Sequence, residues 1–200
     1  MSLLKIQEAF INGLKEVYEP TEAKNIFDLT IENLTGINLK TDNNASFSPD
    51  GCFLQMLGDI EKRLQQHEPV QYILNEAWFY DIPFYVDKNV LIPRPETEEL
   101  VDWIIKEHGN ETELTILDIG TGSGCIPIIL KRKLSFAAVF SCDISEGALR
   151  VAKKNAQKHK TDVTFMHLDF LNRDNWNELP KVDIIVSNPP YIPDDDKRNM

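Results

Sequence analysis

No run of the 200 residues is long and apolar enough to span a bilayer, and the opening MSLLKIQEAF is amphipathic, without the apolar centre of a signal peptide. A soluble, cytoplasmic protein with no membrane partner is therefore expected. Cysteine is scarce: Cys52, Cys125 and Cys142 form no C-x-x-C pair and no metal-ligand spacing, so small buried thiols in a reducing compartment are expected, and no metal site. Positive charge is in deficit too, with 21 Lys and Arg against 32 Asp and Glu and a formal net charge of −11. A broad electrostatic grip on nucleic acid draws on Lys and Arg neutralising phosphates, so direct nucleic-acid binding is not expected. What the chain does have is 42% apolar residues, ample for a packed core in one domain or in a small domain plus a larger one.

The first part has helical periodicity. Residues 3 to 18 place Leu3, Ile6, Phe10, Leu14 and Val17 on one face, and residues 21 to 34 do the same with Ala23, Ile26, Phe27, Ile31 and Leu34 before Gly36. KTDNNAS then reads as a loop. Ser48 followed by Pro49 has the form of an N-cap and a first-turn proline, opening a helix striped with Phe53, Leu57, Ile60 and Leu64. These faces need one another, so residues 1 to 70 are expected to form a small helical bundle without a catalytic constellation.

From about residue 71 the period changes to two. EAWFY and PFYVD alternate around Asp81 and Ile82, which predicts a β-hairpin, expected as a linker over residues 71 to 92. LIPRPETEELVDWII then combines an extended proline pair with a helix whose first turn is rich in Glu, where carboxylates favour the positive end of the helix dipole. Good capping and a role in shaping a site are both open for PETEE.

Residues 93 to 200 are expected to form an α/β unit. TILDIG, AVFSCD, VTFMHLD and VDIIVSN are apolar runs of strand length, and SGCIPIILKRK and SEGALRVAKKNAQKH between them are helix-like. Buried runs alternating with helices predict a parallel sheet with helices on its faces, which is a Rossmann-like arrangement. Ligands in such sheets bind beyond the C-terminal strand ends. All four runs finish there on a polar or glycine-rich signal: Asp118 to Gly124, Asp143, Asp169 and Asn188.

DIGTGSG is the sharpest of these signals, because Gly120, Gly122 and Gly124 let the backbone turn tightly and approach a ligand. A merely structural turn is the plain alternative, since a glycine motif alone is weak. The dinucleotide spacing would need a small residue where Cys125 stands, and the Walker lysine is absent. An adenosyl group fits better: Asp143 can accept from two ribose hydroxyls, and Asp169 with Phe170 can meet an adenine. At the last strand end, the two prolines of SNPPY (187 to 191) remove backbone donors and fix φ, holding Asn188 and the adjoining carbonyls extended. A strand-terminating turn would explain that stretch without chemistry.

Taken together, DIGTGSG, CDIS, LDFL and SNPPY in this order resemble a class I S-adenosylmethionine-dependent methyltransferase, and NPPY is similar to the motif of enzymes that methylate planar amide or exocyclic NH2 groups. The preceding EPVQYILNEAWFYDIPFYVDKNVLIPRPETEELV resembles the HemK/PrmC family, which methylates the glutamine side chain of the Gly-Gly-Gln motif in peptide chain release factors. The match runs from about residue 68 to 193. It implies that Gly120, Thr121, Gly122, Ser123 and Gly124 hold the methionine part of S-adenosylmethionine. It further implies that Asp143 holds the ribose, Asp169 and Phe170 the adenine region, and Asn188, Pro189, Pro190 and Tyr191 the glutamine, with Asn188 also near the cofactor. Asn188, Pro189 and Tyr191 are the implied catalytic set, S-adenosylhomocysteine the product, and a release factor the protein partner, bound by the helical N-terminal part.

Three departures from the family pattern stand out. Asn75 replaces a glycine after YIL, which Asn tolerates because it visits positive φ readily. Pro127 falls within the helix after the glycine loop, acceptable in a first turn. Family members also continue beyond NPPY through strands that complete the sheet, so the sequence ending at Met200 is expected to be a C-terminally truncated piece with Ile184 to Ser187 as an open edge. Two further readings stay open: a nucleic-acid amino methyltransferase acting on adenine N6 or guanine N2, and a fragment that binds without turnover.

Overall fold

The computed structural model describes residues 2–39, 41, 49–111 and 113–189. It divides into two units, Met1–Leu74 and Asn75–Met200.

In the first unit, α1 (Leu3–Leu14), α2 (Pro20–Thr35), α3 (Gly51–Gln65) and the short α4 (Val70–Leu74) enclose one apolar core. Phe10, Leu14, Phe27, Ile31 and Leu64 are fully buried, and the Phe10 and Phe27 rings meet in a tilted pair with centroids 5.4 Å apart. Each such side chain contributes about 1.5–3 kcal/mol by leaving water. α1 stops short of the expected residue 18 because Pro20 opens α2 and holds Glu19 extended at ψ 148°. The Val17 and Tyr18 N–H groups both turn back to the Leu14 carbonyl. α2 ends at Gly36 in the left-handed region, φ 73°, donating to the Glu32 carbonyl.

The N-cap of α3 corrects the sequence expectation. It is Asp50, whose carboxylate accepts from the Phe53 N–H at 2.8 Å, and Pro49 precedes the cap; Ser48 lies outside the described residues, as does KTDNNAS apart from Thr41. Cys52, on α3, is exposed rather than buried, whereas Cys125 and Cys142 are buried as expected. Burial pushes the Cys125 thiol up to about 12 and that of Cys142 up to about 11, so both stay protonated.

The second unit opens with the hairpin β1 (Ala77–Phe79) and β2 (Ile82–Phe84). Its turn is Tyr80–Asp81, not Asp81–Ile82, and both residues sit at positive φ, 54° and 57°, as two-residue hairpin turns of matching twist require. Neither is glycine, so the turn needs outside support. The Tyr80 N–H donates to the Glu98 carboxylate at 2.9 Å, and the Tyr80 hydroxyl donates to Asp102. Phe79 and Phe84 enter the core of this unit. Asn75 has φ 54°, in line with its tolerated place in the family pattern.

After α5 (Glu96–His108) come β3 (Thr115–Ile119), α6 (Cys125–Lys133), β4 (Ala138–Asp143), α7 (Glu146–Lys158), β5 (Thr164–His167) and β6 (Ile184–Ser187). The four strands form a parallel sheet in the order β5-β4-β3-β6. One core gathers Val101 and Ile104 of α5, Ile128 and Ile129 of α6, and Ile116, Val139 and Val186 of the strands. A smaller cluster holds Leu117, Cys142 and Leu168. Pro127 is the third residue of α6, where its missing N–H costs nothing. A 3-10 turn over Arg173–Glu178 breaks the stretch expected to run directly from the third strand to the fourth. Among the described residues β6 pairs only with β3, and Ile185 is 57% exposed. No helix among the described residues is long and apolar enough to cross a membrane.

Candidate functional site

The strand order fixes where a ligand can sit. The chain steps from β3 to β4 to β5 in one direction and then returns to place β6 on the other side of β3, so the topological switch lies between β3 and β6. Connections that diverge from neighbouring parallel strands leave a crevice beyond their C-terminal ends. Register brings the sequence signals to that edge: Ile119 pairs with both Cys142 and Ser187, and Asp143 with His167. The glycine loop therefore starts one residue beyond the same rung from which Asn188 leaves.

Gly120, Gly122 and Gly124 all have positive φ, at 79°, 51° and 80°. A Cβ at Gly120 would meet nothing within 4 Å, and one at Gly122 would meet only the Gly120 carbonyl at 4.0 Å. These two glycines thus face open space. Gly124 serves packing: a Cβ there would come within 3.1 Å of Ala152 on α7. The loop is bound to β4 at its root, since the Gly120 and Thr121 N–H groups donate to the Cys142 carbonyl.

Asp143, half-buried at the end of β4, accepts from the Gly122 N–H through Oδ2 at 3.0 Å and from the Ser145 N–H through Oδ1 at 2.9 Å. It shapes the loop and the start of α7 as well as offering acceptors at the crevice. Asp169 accepts from the Leu171 N–H at 2.9 Å, and the Phe170 ring stacks on Trp176, centroids 5.5 Å apart, while the Trp176 indole N–H donates to the Phe170 carbonyl. The unexpected 3-10 turn thereby holds the aromatic edge expected for an adenine.

Asp118 lies wholly buried below the loop. Desolvation is the main cause that raises its carboxyl to about 7; the 2.6 Å bond from the Ser141 hydroxyl pulls it down and the Asp143 charge pushes it up. Its Oδ1 and the Thr121 Oγ1 are both buried without a hydrogen-bond partner among the described residues.

Asn188 is half-buried, and its Nδ2 donates to the Thr97 Oγ1 at 2.7 Å. Pro189 follows, exposed; Pro190 and Tyr191 lie outside the described residues. PETEE complements the helix dipole and builds a site at once, without a side-chain cap. Glu96, Glu98 and Glu99 occupy the first turn of α5, Glu98 steadies the hairpin turn, and Thr97 holds Asn188.

Three contributors escaped the sequence reasoning: Thr97, Ser141 and Asn155. Asn155 on α7 is fully buried and ties Ser123 of the loop to Tyr85, donating to both carbonyls at 2.9 Å and accepting from the Tyr85 N–H at 2.7 Å. A lone polar residue in the apolar stripe of a helix was the available signal. The residues fit an adenosyl cofactor with an α-amino acid tail. Two glycines open onto free space, carboxylates stand at two neighbouring strand ends, and an aromatic face flanks them.

The chain is similar to known methyltransferases. Residues 97–200 match the methyltransferase small domain family. A release factor glutamine methyltransferase of Flavobacterium psychrophilum is 39% identical over 212 residues, covering 100% of this chain and 71% of its own length. One of Bacteroides thetaiotaomicron is 42% identical over 189 residues, covering 94% and 67%, and one of Lactococcus lactis subsp. lactis is 46% identical over 147 residues, covering 74% and 53%. The chain thus spans between 53% and 71% of the length of these relatives. Among solved structures, a ribosomal protein L11 methylase from Lactobacillus delbrueckii subsp. bulgaricus aligns over 52% of this chain and 51% of its own, at 26% identity and a TM-score of 0.43.

Proposed function

The chain belongs to the release factor glutamine methyltransferase family, and from that premise we propose that it methylates the side-chain amide nitrogen of the glutamine in the Gly-Gly-Gln motif of a peptide chain release factor, in the cytoplasm. When bound, S-adenosylmethionine supplies an electrophilic methyl group on a sulfonium and leaves as S-adenosylhomocysteine. The backbone from Gly120 through Thr121, Gly122 and Ser123 to Gly124 would hold its amino-acid part, Asp143 its ribose hydroxyls, and Asp169 with Phe170 its adenine.

An amide nitrogen is a poor nucleophile because its lone pair is delocalised into the carbonyl. The protein must therefore orient it and stabilise the positive charge that grows on it. The Asn188 Oδ1 and the Pro189 carbonyl are two acceptors for the NH2 protons. Pro190 and Tyr191, which lie outside the described residues, complete the glutamine-binding motif in the family resemblance. A carbon–nitrogen bond forms as the carbon–sulfur bond of the sulfonium breaks, and the nitrogen gives up one proton to solvent.

The observation that carries the reading is the placement of Asn188 one residue past the Ser187–Ile119 rung, beside the loop that begins at Gly120. Radiolabelled methyl transfer to a purified release factor tests it, with DNA, RNA and a release factor whose Gly-Gly-Gln glutamine is replaced by alanine as comparisons. Label confined to the intact release factor is expected. Label on nucleic acid instead, or cofactor binding without any transfer, would overturn it. In a protein with the complete sheet, Asn188→Ala should lower kcat roughly a hundredfold to a thousandfold, the usual loss on deleting one group that bonds to the transition state, with little change in S-adenosylmethionine affinity. Asn188→Asp keeps an acceptor and should retain partial activity.

A further inference from the structure

We propose that Thr97 is a positioning residue that holds the Asn188 side chain so that its oxygen, not its nitrogen, meets the amide being methylated. This rests on the glutamine-methylation reading and adds to it a residue 91 positions away in sequence. The Asn188 Nδ2 donates to the Thr97 Oγ1 at 2.7 Å, and among the described residues Oδ1 has no donor. Thr97 is itself 6% exposed and is fixed in the first turn of α5, where its N–H donates to the Arg94 carbonyl at 3.0 Å. Its neighbour Glu98 is held by the Tyr80 N–H. The hydroxyl is therefore presented from a backbone anchored on both sides.

The two ends of a primary amide are nearly alike in shape and opposite in hydrogen bonding: one side accepts, the other only donates. A glutamine NH2 whose nitrogen is to be alkylated offers two donors. An Asn188 turned with its own NH2 outward would set donor against donor and repel the charge growing on the substrate nitrogen. A hydroxyl can bond either end of an amide, but the orientation seen satisfies Nδ2 in the interior and leaves the acceptor for the crevice. Ser187 supports the same geometry from below, its hydroxyl donating to the Ile119 carbonyl at 2.8 Å. The consequence is an order of roles in which Asn188 touches substrate and Thr97 acts through Asn188.

The test uses the full chain with a release factor as methyl acceptor. Thr97→Val, nearly the same shape without the hydroxyl, is expected to lower kcat about tenfold, with the cofactor dissociation constant and the melting temperature nearly unchanged. Thr97→Ser should recover most of the rate, which a purely space-filling role would not produce. Thr97→Ala carries the same expectation as the valine and replaces it if the valine variant does not fold. In the Asn188→Ala background, removing the Thr97 hydroxyl should have no further effect, because the residue it orients is gone. Thr97→Val within twofold of wild type, or an equal loss with and without Asn188, overturns the proposal while leaving glutamine methylation intact. Wild-type protein that fails to methylate the release factor overturns the functional reading itself.

Discussion

The two units bury polar groups for different ends. Among the described residues of Met1–Leu74 the buried polar ones are Asp28 and Thr30, and both are answered within the helical bundle: Thr30 donates to the Ile26 carbonyl one turn back, and Asp28 accepts from Gln7 on α1 and Lys24 on its own helix. Among the described residues of Asn75–Met200 they are Thr97, Asp118, Thr121, Ser123, Ser141 and Asn155, and bonds across long sequence distances join Ser141 to Asp118, Asn155 to Ser123 and Asn188 to Thr97. Burying a polar group costs about 1–3 kcal/mol unless a partner is supplied, so a concentration of them in one place needs a reason. The reason here is the crevice. The first unit is held by apolar packing, and the second adds a polar layer that fixes a loop and an amide.

The largest expected effect breaks the first unit alone. Phe27 is fully buried against Phe10, and Phe27→Ala should cost about 3–5 kcal/mol, the ordinary loss for emptying an aromatic site in a core. Denaturant unfolding measures the loss, and calorimetry on the folded variant should give an unchanged S-adenosylmethionine affinity. A matching loss of affinity would show that the packing core and the polar layer are not separate.

Next comes the charge beneath the loop. With its carboxyl raised from 3.8 to about 7, Asp118 holds its proton more tightly folded than unfolded. Its contribution to stability is complete below about pH 4 and is lost as pH rises through about 7, a change on the order of a few kcal/mol. Thermal melts from pH 4 to 8 on wild type and Asp118→Asn, which cannot titrate there, should show the wild type losing ground with rising pH. A constant difference between the two would mean that Asp118 is ionised throughout.

How much of this was legible in the sequence follows from the range of the interactions. The helical faces of Phe10, Phe27 and Leu64, the four strands and the polar signals at their ends come from local periodicity, and all lie where the pattern placed them. The N-cap slipped from Ser48 to Asp50 because both residue types cap and only the backbone decides which does. The hairpin turn slipped by one residue because Tyr80 and Asp81 lack the glycine or asparagine that marks such turns, and their support comes from Glu98 and Asp102 on another element. The protonation of Asp118 and the Thr97–Asn188 bond were out of reach, since the first depends on burial and the second on strand order.

Asp143→Ala should weaken S-adenosylmethionine binding by about 1.5–3 kcal/mol, the scale of a charge-assisted hydrogen bond. The structure sharpens that expectation, because the same carboxylate also accepts from the Gly122 and Ser145 N–H groups. Part of the loss should therefore come from a loosened glycine loop. Asp143→Asn, which keeps one acceptor, should fall between wild type and alanine in calorimetric titration. An unchanged dissociation constant in the alanine variant would remove β4 from the ribose.

The smallest effect concerns a carboxylate that is chemically like Asp143 but placed in the other unit. Asp50 caps α3, accepting from the Phe53 N–H at 2.8 Å, and its loss leaves one helix N–H without that partner. Asp50→Ala should therefore lower stability by about 1 kcal/mol, since water can reach the freed N–H and replace part of the bond. Asp50→Ser, another good cap, should recover most of it. Neither change should move cofactor affinity or the rate of methyl transfer, because Asp50 serves only its own helix. Melting and calorimetry on the three proteins decide the matter. If Asp50→Ala cost as much cofactor affinity as Asp143→Ala, the contrast between a carboxylate that finishes a helix and one that faces a ligand would fail, and the first unit would have to be counted as part of the binding machinery.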